Sequence, residues 1–218
     1  MAESDALKEL RKKELVTLKR RVETRIKIKP PPKRIRRVAG VDLVLTPGAR
    51  KAHVCASLMS YPKLKVLEEA IATDELDSAV QTELGTVAFV PLVLSVLKML
   101  KQSCDLIMVR EISVKEDIPL AAYIGVISGT PTLGISDRSS TMKAVATLNG
   151  VKRAGPVKIR GHKTPLGVVA GHLTTFNDSW KMVKSCITDA RIPEPVRNAG
   201  ARVRAWEREW RRLNVKKK

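Results

Sequence analysis

Leu7, Leu10, Leu15, Leu18 and Val22 form an apolar stripe at helical spacing, and Lys and Arg fill the other faces. The pattern predicts a helix over residues 4–23. Pro30, Pro31 and Pro32 end any helix. Around them Ile26, Ile28 and Ile35 alternate with basic residues, which predicts an extended, cationic connector. Val38–Leu45 (VAGVDLVL) is apolar apart from Asp42, and Ala52–Ser60 is a second apolar run. Tyr61-Pro62 suits a turn, and Leu64–Thr73 reads as a third strand despite its glutamates. The three predict an antiparallel meander.

Residues 74–85 read as a loop that ends in Gly85. Val87–Lys101 has helical length and tolerates Pro91 only near its start. Leu106–Val109 is a short buried strand, Leu120–Ser128 a helix closed by Gly129, and Thr132–Ile135 another strand. Polar and small residues dominate 137–163, where NGVKRAGPVKIRGHK predicts a hairpin. Leu166–Val169 is a last strand, and Thr175–Cys186 and Pro193–Leu213 are helices. Strands come first and βα alternation follows, so the class is α/β with a mixed sheet.

Composition narrows this picture. Apolar residues are 44% of the 218, enough for a real core, but aromatics are only 3%. The core must come from Val, Leu, Ile and Ala. No apolar run reaches membrane-spanning length. The N-terminus is charged from its third residue, unlike a signal peptide. Cys55, Cys104 and Cys186 are too few for a disulfide scaffold and lack metal-ligand spacing. A reducing, cytoplasmic setting is expected.

The net charge of +19 is unevenly placed: residues 1–37 carry +9 and residues 197–218 carry +7, leaving +3 between them. The organisation predicted is a basic helix and Pro-rich connector over 1–37, a nearly neutral domain over 38–200, and a basic helical extension and tail over 201–218. Concentrated positive charge is what a polyanionic partner such as nucleic acid selects; the alternative is a pair of solvated helix faces.

Asp42 is the first candidate for chemistry. An aspartate in an apolar strand is costly unless paired. It is either a metal-ligating carboxylate or a buried acid satisfied by hydrogen bonds or a cation. Lys152, Arg153, Lys158, Arg160 and Lys163 lie among glycines, an arrangement that suits phosphates or a solvated hairpin tip. His53 and His162 show no ligand spacing, and Cys186 reads as core. Ala199, Val203, Trp206, Trp210 and Leu213 make one stripe on the last helix. That stripe docks the helix on its own domain or, through Trp206 and Trp210, on a protein partner.

VAGVDLVL with the following AHVCASLMSYPKLKVLEE run resembles the opening strands of the endonuclease V family. So do LAAYIGVISGTPTLGIS, GVVAGHLTTFNDSWKMV and, most specifically, CITDARIPEPVRNA at residues 186–199. The resemblance covers about residues 5–200 in order. It implies a ribonuclease H-like fold: an antiparallel meander followed by βα units, flanked by helices. It implies cleavage near deaminated bases, mainly inosine, in DNA or RNA, with carboxylates holding Mg²⁺. Three carboxylates and a supporting lysine are then expected. Asp42 matches the first. The second falls where LGTVAFVPLVL has only Phe89, Val90 or Pro91, and the third falls at Arg110. The lysine aligns with Asp137, and the family's aromatic-proline wedge corresponds to QTELG (residues 81–85) and is absent. Gly171-His172 matches a family histidine that stands near the metal and opens a helix. Without the metal, a structural hydrogen-bonding role is the alternative for His172.

A single carboxylate facing a guanidinium does not gather Mg²⁺. Glu111 is one step along the strand and points to the other face. Glu83, Glu116 and Asp117 read as loop residues from which a site would be rebuilt. Three functions follow. The first is a catalytically inactive nucleic-acid-binding protein with no cofactor, in which Asp42 and His172 are vestigial. The second is a Mg²⁺-dependent endonuclease V using Asp42 as a ligand. The third is a structural subunit of a protein or ribonucleoprotein assembly. Asp42 and Arg110 are expected on adjacent strands as a hydrogen-bonded ion pair.

Overall fold

The computed structural model describes residues 5–46, 51–75, 85–112, 118–137, 147–148 and 150–214. Helix α1 (Asp5–Glu23) forms where it was predicted, with Arg20 and Arg21 in its last turn, where they complement the negative end of its dipole. Of the predicted stripe, Leu18 packs on the core and Leu10 is exposed. Val22 is buried against the core. Strands β1 (Arg37–Thr46), β2 (Lys51–Ser60) and β3 (Val66–Glu75) form the predicted antiparallel meander. Asp74 and Glu75, predicted as loop, belong to β3, with Glu75 opposite Lys51. Residues 76–84 lie outside the described residues.

The helix predicted over Val87–Lys101 divides in two. A 3-10 turn covers Gly85–Phe89, and α2 covers Val90–Met99 with Pro91 in its first turn. Proline lacks the N–H that a longer helix would need there, so the α-helical ladder starts at that point. β4 (Leu106–Arg110), α3 (Leu120–Ser128) and β5 (Thr132–Ser136) follow as predicted. Gly129 closes α3 at φ 68°, a left-handed conformation that costs glycine little.

The segment predicted as one hairpin separates into two structures. β6 (Thr147–Leu148) and β7 (Val151–Lys152) pair over two residues each. β8 (Ala154–Val157) instead joins the main sheet beside β9 (Leu166–Ala170). β8 is an edge strand, which is why Pro156 is tolerated in it. Helices α4 (Phe176–Ser185) and α5 (Glu194–Asn214) complete the chain. The segment 201–218 begins inside α5, which runs unbroken through residue 200.

The seven-stranded sheet has the order β3-β2-β1-β4-β5-β9-β8, with β1, β4 and β5 parallel and the other pairings antiparallel. One face, with Ala39, Val41, Ile107 and Val109, packs against residues of α1, α2 and α3. The other, with Val38, Leu106, Met108 and Val168, packs against Val183 of α4 and Val196 of α5. Helix α5 spends the start of its stripe on its own sheet, since Ala199 and Val203 bury against Cys55. Trp206 donates from Nε1 to Thr73 Oγ1 at 3.2 Å, and the Trp210 ring tilts against His53 at 5.4 Å. Among the described residues no helix is long and apolar enough to cross a membrane.

Candidate nucleic-acid interface

Val41 of β1 stands opposite Val109 of β4 in parallel register. The next residue on each strand is Asp42 and Arg110. Even-numbered positions of both strands face α4 and α5: Val38, Leu106 and Met108 share a core with Val196, and Gly40 lies against Pro195. The strand pleat therefore sends Asp42 and Arg110 to the same face, under α5.

Asp42 is 3% exposed. Its Oδ1 accepts from the Leu43 N–H at 2.8 Å, and its Oδ2 accepts from Arg204 Nη1 of α5 at 3.4 Å. Arg110 Nη1 lies 3.9 Å from the same Oδ2, an ion-pair contact. The expected hydrogen-bonded pair is thus corrected: Arg110 donates to Asp137 Oδ2 instead. β4 and β5 are parallel with Arg110 opposite Ile135, so its guanidinium reaches the chain leaving β5 as readily as β1. Arg191 Nη2 donates to the other oxygen of Asp137 at 3.0 Å, and its Nη1 reaches Asp137 O and Pro165 O at 3.4 and 3.3 Å. Two carboxylates are held by three guanidiniums. Burial raises the Asp42 pKa above the ordinary aspartate value, and Arg110, the Leu43 N–H and Arg204 offset part of that rise.

Arg204 crosses its own helix at Gly200 to reach Asp42. A Cβ at residue 200 would stand 2.3 Å from Asp42 Oδ2 and 2.7 Å from Arg204 Nη2. The absence of a side chain there is what lets the guanidinium lie over the carboxylate. Arg191, Arg204 and the pairing role of Asp137 were not visible in the sequence. Arg204 reads from spacing as one of several solvated arginines, and Asp137 only as a departure from a lysine.

The described residues do not fit a divalent cation. Mg²⁺ needs clustered anionic oxygens, and here each carboxylate is faced by arginine. Among the described residues no group of three or more His, Cys, Asp or Glu side chains is placed to hold a metal. Glu111 is spent elsewhere: its carboxylate accepts from the Leu120 and Ala121 N–H groups at 2.9 and 3.0 Å, capping α3 on the opposite face. Glu83, Glu116 and Asp117 lie outside the described residues, as do residues 81–84 of the wedge segment.

His172 belongs to the other end of the sheet. It follows β9 beyond Ala170, which pairs with Leu133 near the start of β5, whereas Arg110 and Asp137 sit at the ends of β4 and β5. Its N–H donates to Thr132 Oγ1 at 2.9 Å, and its Nδ1 accepts from the Lys27 N–H at 3.2 Å. The expectations that it opens a helix and accompanies Asp42 are corrected. The next helix starts at the Thr175 cap, whose hydroxyl accepts from the Asp178 N–H, and five-residue β5 separates His172 from the arginine cluster. Its role is to pin the Pro-rich connector.

Burial and the nearby Lys27 and Lys29 lower the His172 pKa below 6.5. The fold therefore favours the neutral ring, and the unfolded chain takes up a proton first. The contribution is complete above about pH 6.5 and is lost as pH falls below it. The melting temperature of the wild-type protein is expected to fall more steeply from pH 7.5 to 5.5 than that of His172→Gln. Parallel curves would refute the assignment.

The basic segment divides. Lys152, Lys158, Arg160 and Lys163 are exposed. Arg153 is corrected: it is 1% exposed, donates from Nε to Ala170 O at 2.9 Å, and sits near Glu111. Its position just before β8 turns it into the core, where burial lowers its pKa to about 10, partly offset by Glu111. Lys152 lies over the Phe176 ring at 4.5 Å. Lys158, Arg160 and Lys163 occupy the β8–β9 loop. Val157 pairs with Leu166 and Gly167 with Ser136, so this loop lies at the Asp137 end of the sheet. Cys186 is core, as expected, and burial pushes its thiol up to about 12.

Comparison with known proteins accounts for this frame. The family model of endonuclease V matches residues 17–201. Endonuclease V of Alkalilimnicola ehrlichii is 29% identical over 179 residues, covering 76% of this chain and 79% of that protein. The crystal structure of endonuclease V from Streptomyces avermitilis superposes with a TM-score of 0.76 at 22% identity, covering 90% of this chain and 93% of that one. Endonuclease V of Ciona intestinalis, solved with a 23mer DNA containing an inosine followed by a ribo-adenosine, gives 0.75 at 18% identity over 95% and 99% of the chains. The mixed sheet is the ribonuclease H-like fold that the sequence resemblance implies. With the match running from α1 into α5, the chain belongs to the endonuclease V family.

Proposed function

We propose that this protein binds nucleic acid through an endonuclease V-type domain and does not cut it. One observation carries the reading: Arg110, Arg191 and Arg204 surround Asp42 and Asp137, where β4 and β5 end level with the middle of β1. A cluster of that sign repels Mg²⁺ and attracts phosphate. The exposed Lys158, Arg160 and Lys163 lie at the same end of the sheet, and α1 with its connector adds further positive charge. The relative from Ciona intestinalis was solved with inosine-containing DNA, which supports DNA or RNA as the ligand class.

The test combines cleavage and gel-shift assays on inosine-containing single strands of DNA and RNA. Binding is expected in EDTA, with affinity falling steeply as salt rises. No cleavage is expected with Mg²⁺ or Mn²⁺. Metal-dependent cleavage that disappears in Asp42→Ala would overturn the proposal and identify a working endonuclease.

A further inference from the structure

Resting on that reading, we infer that Arg204 and Arg110 form a metal-free seat for one phosphodiester of the bound strand. Both guanidiniums converge on one oxygen, Asp42 Oδ2, at 3.4 and 3.9 Å. These contacts are long for charge-assisted hydrogen bonds, which run about 2.7–2.9 Å. Asp42 fixes the two groups side by side without saturating their donors. The Arg204 side chain is 48% exposed and that of Arg110 24%, whereas Asp42 lies beneath them at 4%. An approaching anion therefore meets these guanidiniums before Asp42, while Asp137, 37% exposed, already has both oxygens held by Arg110 and Arg191.

The charge count supports a monoanion. Arg110, Arg191 and Arg204 carry three positive charges against two negative charges on Asp42 and Asp137. One phosphodiester balances the remainder. Asp137 does not oppose it strongly, because Arg110 and Arg191 each hold one of its oxygens. Arginine suits the task, since its planar fork matches two phosphate oxygens where lysine offers a point charge. Gly200 has a part as well: a side chain there would displace the Arg204 guanidinium from Asp42.

The test is fluorescence anisotropy in EDTA with a labelled single-stranded DNA containing inosine, over a series of salt concentrations. The proteins are wild type, Arg204→Ala, Arg204→Lys and Arg208→Ala. Arg208 is an exposed arginine on the same helix and controls for general charge. Arg204→Ala is expected to weaken binding about tenfold and to reduce the slope of log affinity against log salt by about 0.7, the loss of one phosphate contact to a single strand. Arg204→Lys is expected to keep the slope and recover part of the affinity. Arg208→Ala is expected to stay within about twofold of wild type, as for a charge distant from phosphate. Thermal melting checks that each variant is folded. If Arg204→Ala behaves like Arg208→Ala, the seat is wrong and the nucleic-acid reading stands. If the wild type binds neither this strand nor its RNA counterpart, both are overturned.

Discussion

Gly40→Ala is expected to lower the melting temperature by about 10 °C or to prevent folding. A Cβ at residue 40 would stand 2.0 Å from Pro195 C, 2.1 Å from Pro195 O and 2.4 Å from Val196 N. These are backbone atoms at the start of α5, so no rotamer change relieves the clash. The helix would have to lift from β1, opening the contacts of Val196, Ala199 and Val203 with the sheet. Overpacking a core costs typically 1–3 kcal/mol. A rigid backbone clash belongs at or above the top of that range, and about 3 kcal/mol corresponds to roughly 6–12 °C for a chain of this size. Gly155→Ala is the control, because its Cβ would meet only side-chain atoms, the Phe176 ring edge at 3.3 Å and Lys152 Cε at 3.5 Å. Thermal denaturation followed by circular dichroism decides the matter, and equal shifts for the two variants would refute the close-approach account.

Glu111→Ala is expected to cost about 3–5 kcal/mol, the range for breaking a buried charge pair. Glu111 is buried, and its two oxygens accept from the first N–H groups of α3. Pro119 at that cap offers no side-chain acceptor, so the carboxylate takes the part a serine or aspartate would play. Buried Arg153 also depends on it, since Glu111 is the charge that offsets the loss of hydration around that guanidinium. Removing Glu111 leaves donors and a cation in the core at once. Chemical denaturation of Glu111→Ala, Arg153→Met and the double variant measures the coupling. The double variant is expected to lose less than the sum of the two single losses. Strict additivity would show that the two side chains do not interact.

Much of the architecture was legible because it follows local periodicity. The strand runs around Val41, Val54 and Ile107 bury in the sheet, and the Gly129 stop falls at its predicted residue. Where the reading failed, two local signals competed. Residues 149–163 look like one basic hairpin because Lys, Arg and Gly are interspersed there, yet Ala154–Val157 pairs with β9, and that pairing draws Arg153 into the core. Pro91 fits the start of a helix, but the 3-10 turn before it carries no pattern of its own.

The candidate site was half legible. Asp42 stood out as a lone acid in an apolar strand, and Arg110 as a cation where resemblance implies a carboxylate. Both inferences use single positions, and the neighbourhood of β1 and β4 follows from the order of strands. The partners do not. Asp137, Arg191 and Arg204 come from three separate segments and reach the site through the register of β4 with β5 and the seating of α5, with its Pro195 against Gly40 and its Gly200 against Asp42. His172 shows the converse: a glycine–histidine pair suggested the site, and antiparallel pairing of β9 with β5 carried it to the opposite end of the sheet. The sequence by itself determined the strand and helix order, the basic termini and the absence of an acid at positions 89–91 and 110, because these depend on residue type and local period. Only the tertiary structure decided that three guanidiniums close over two carboxylates. Contacts between residues as distant as 42 and 204 depend on how helices and strands are superposed, which short-range periodicity does not encode.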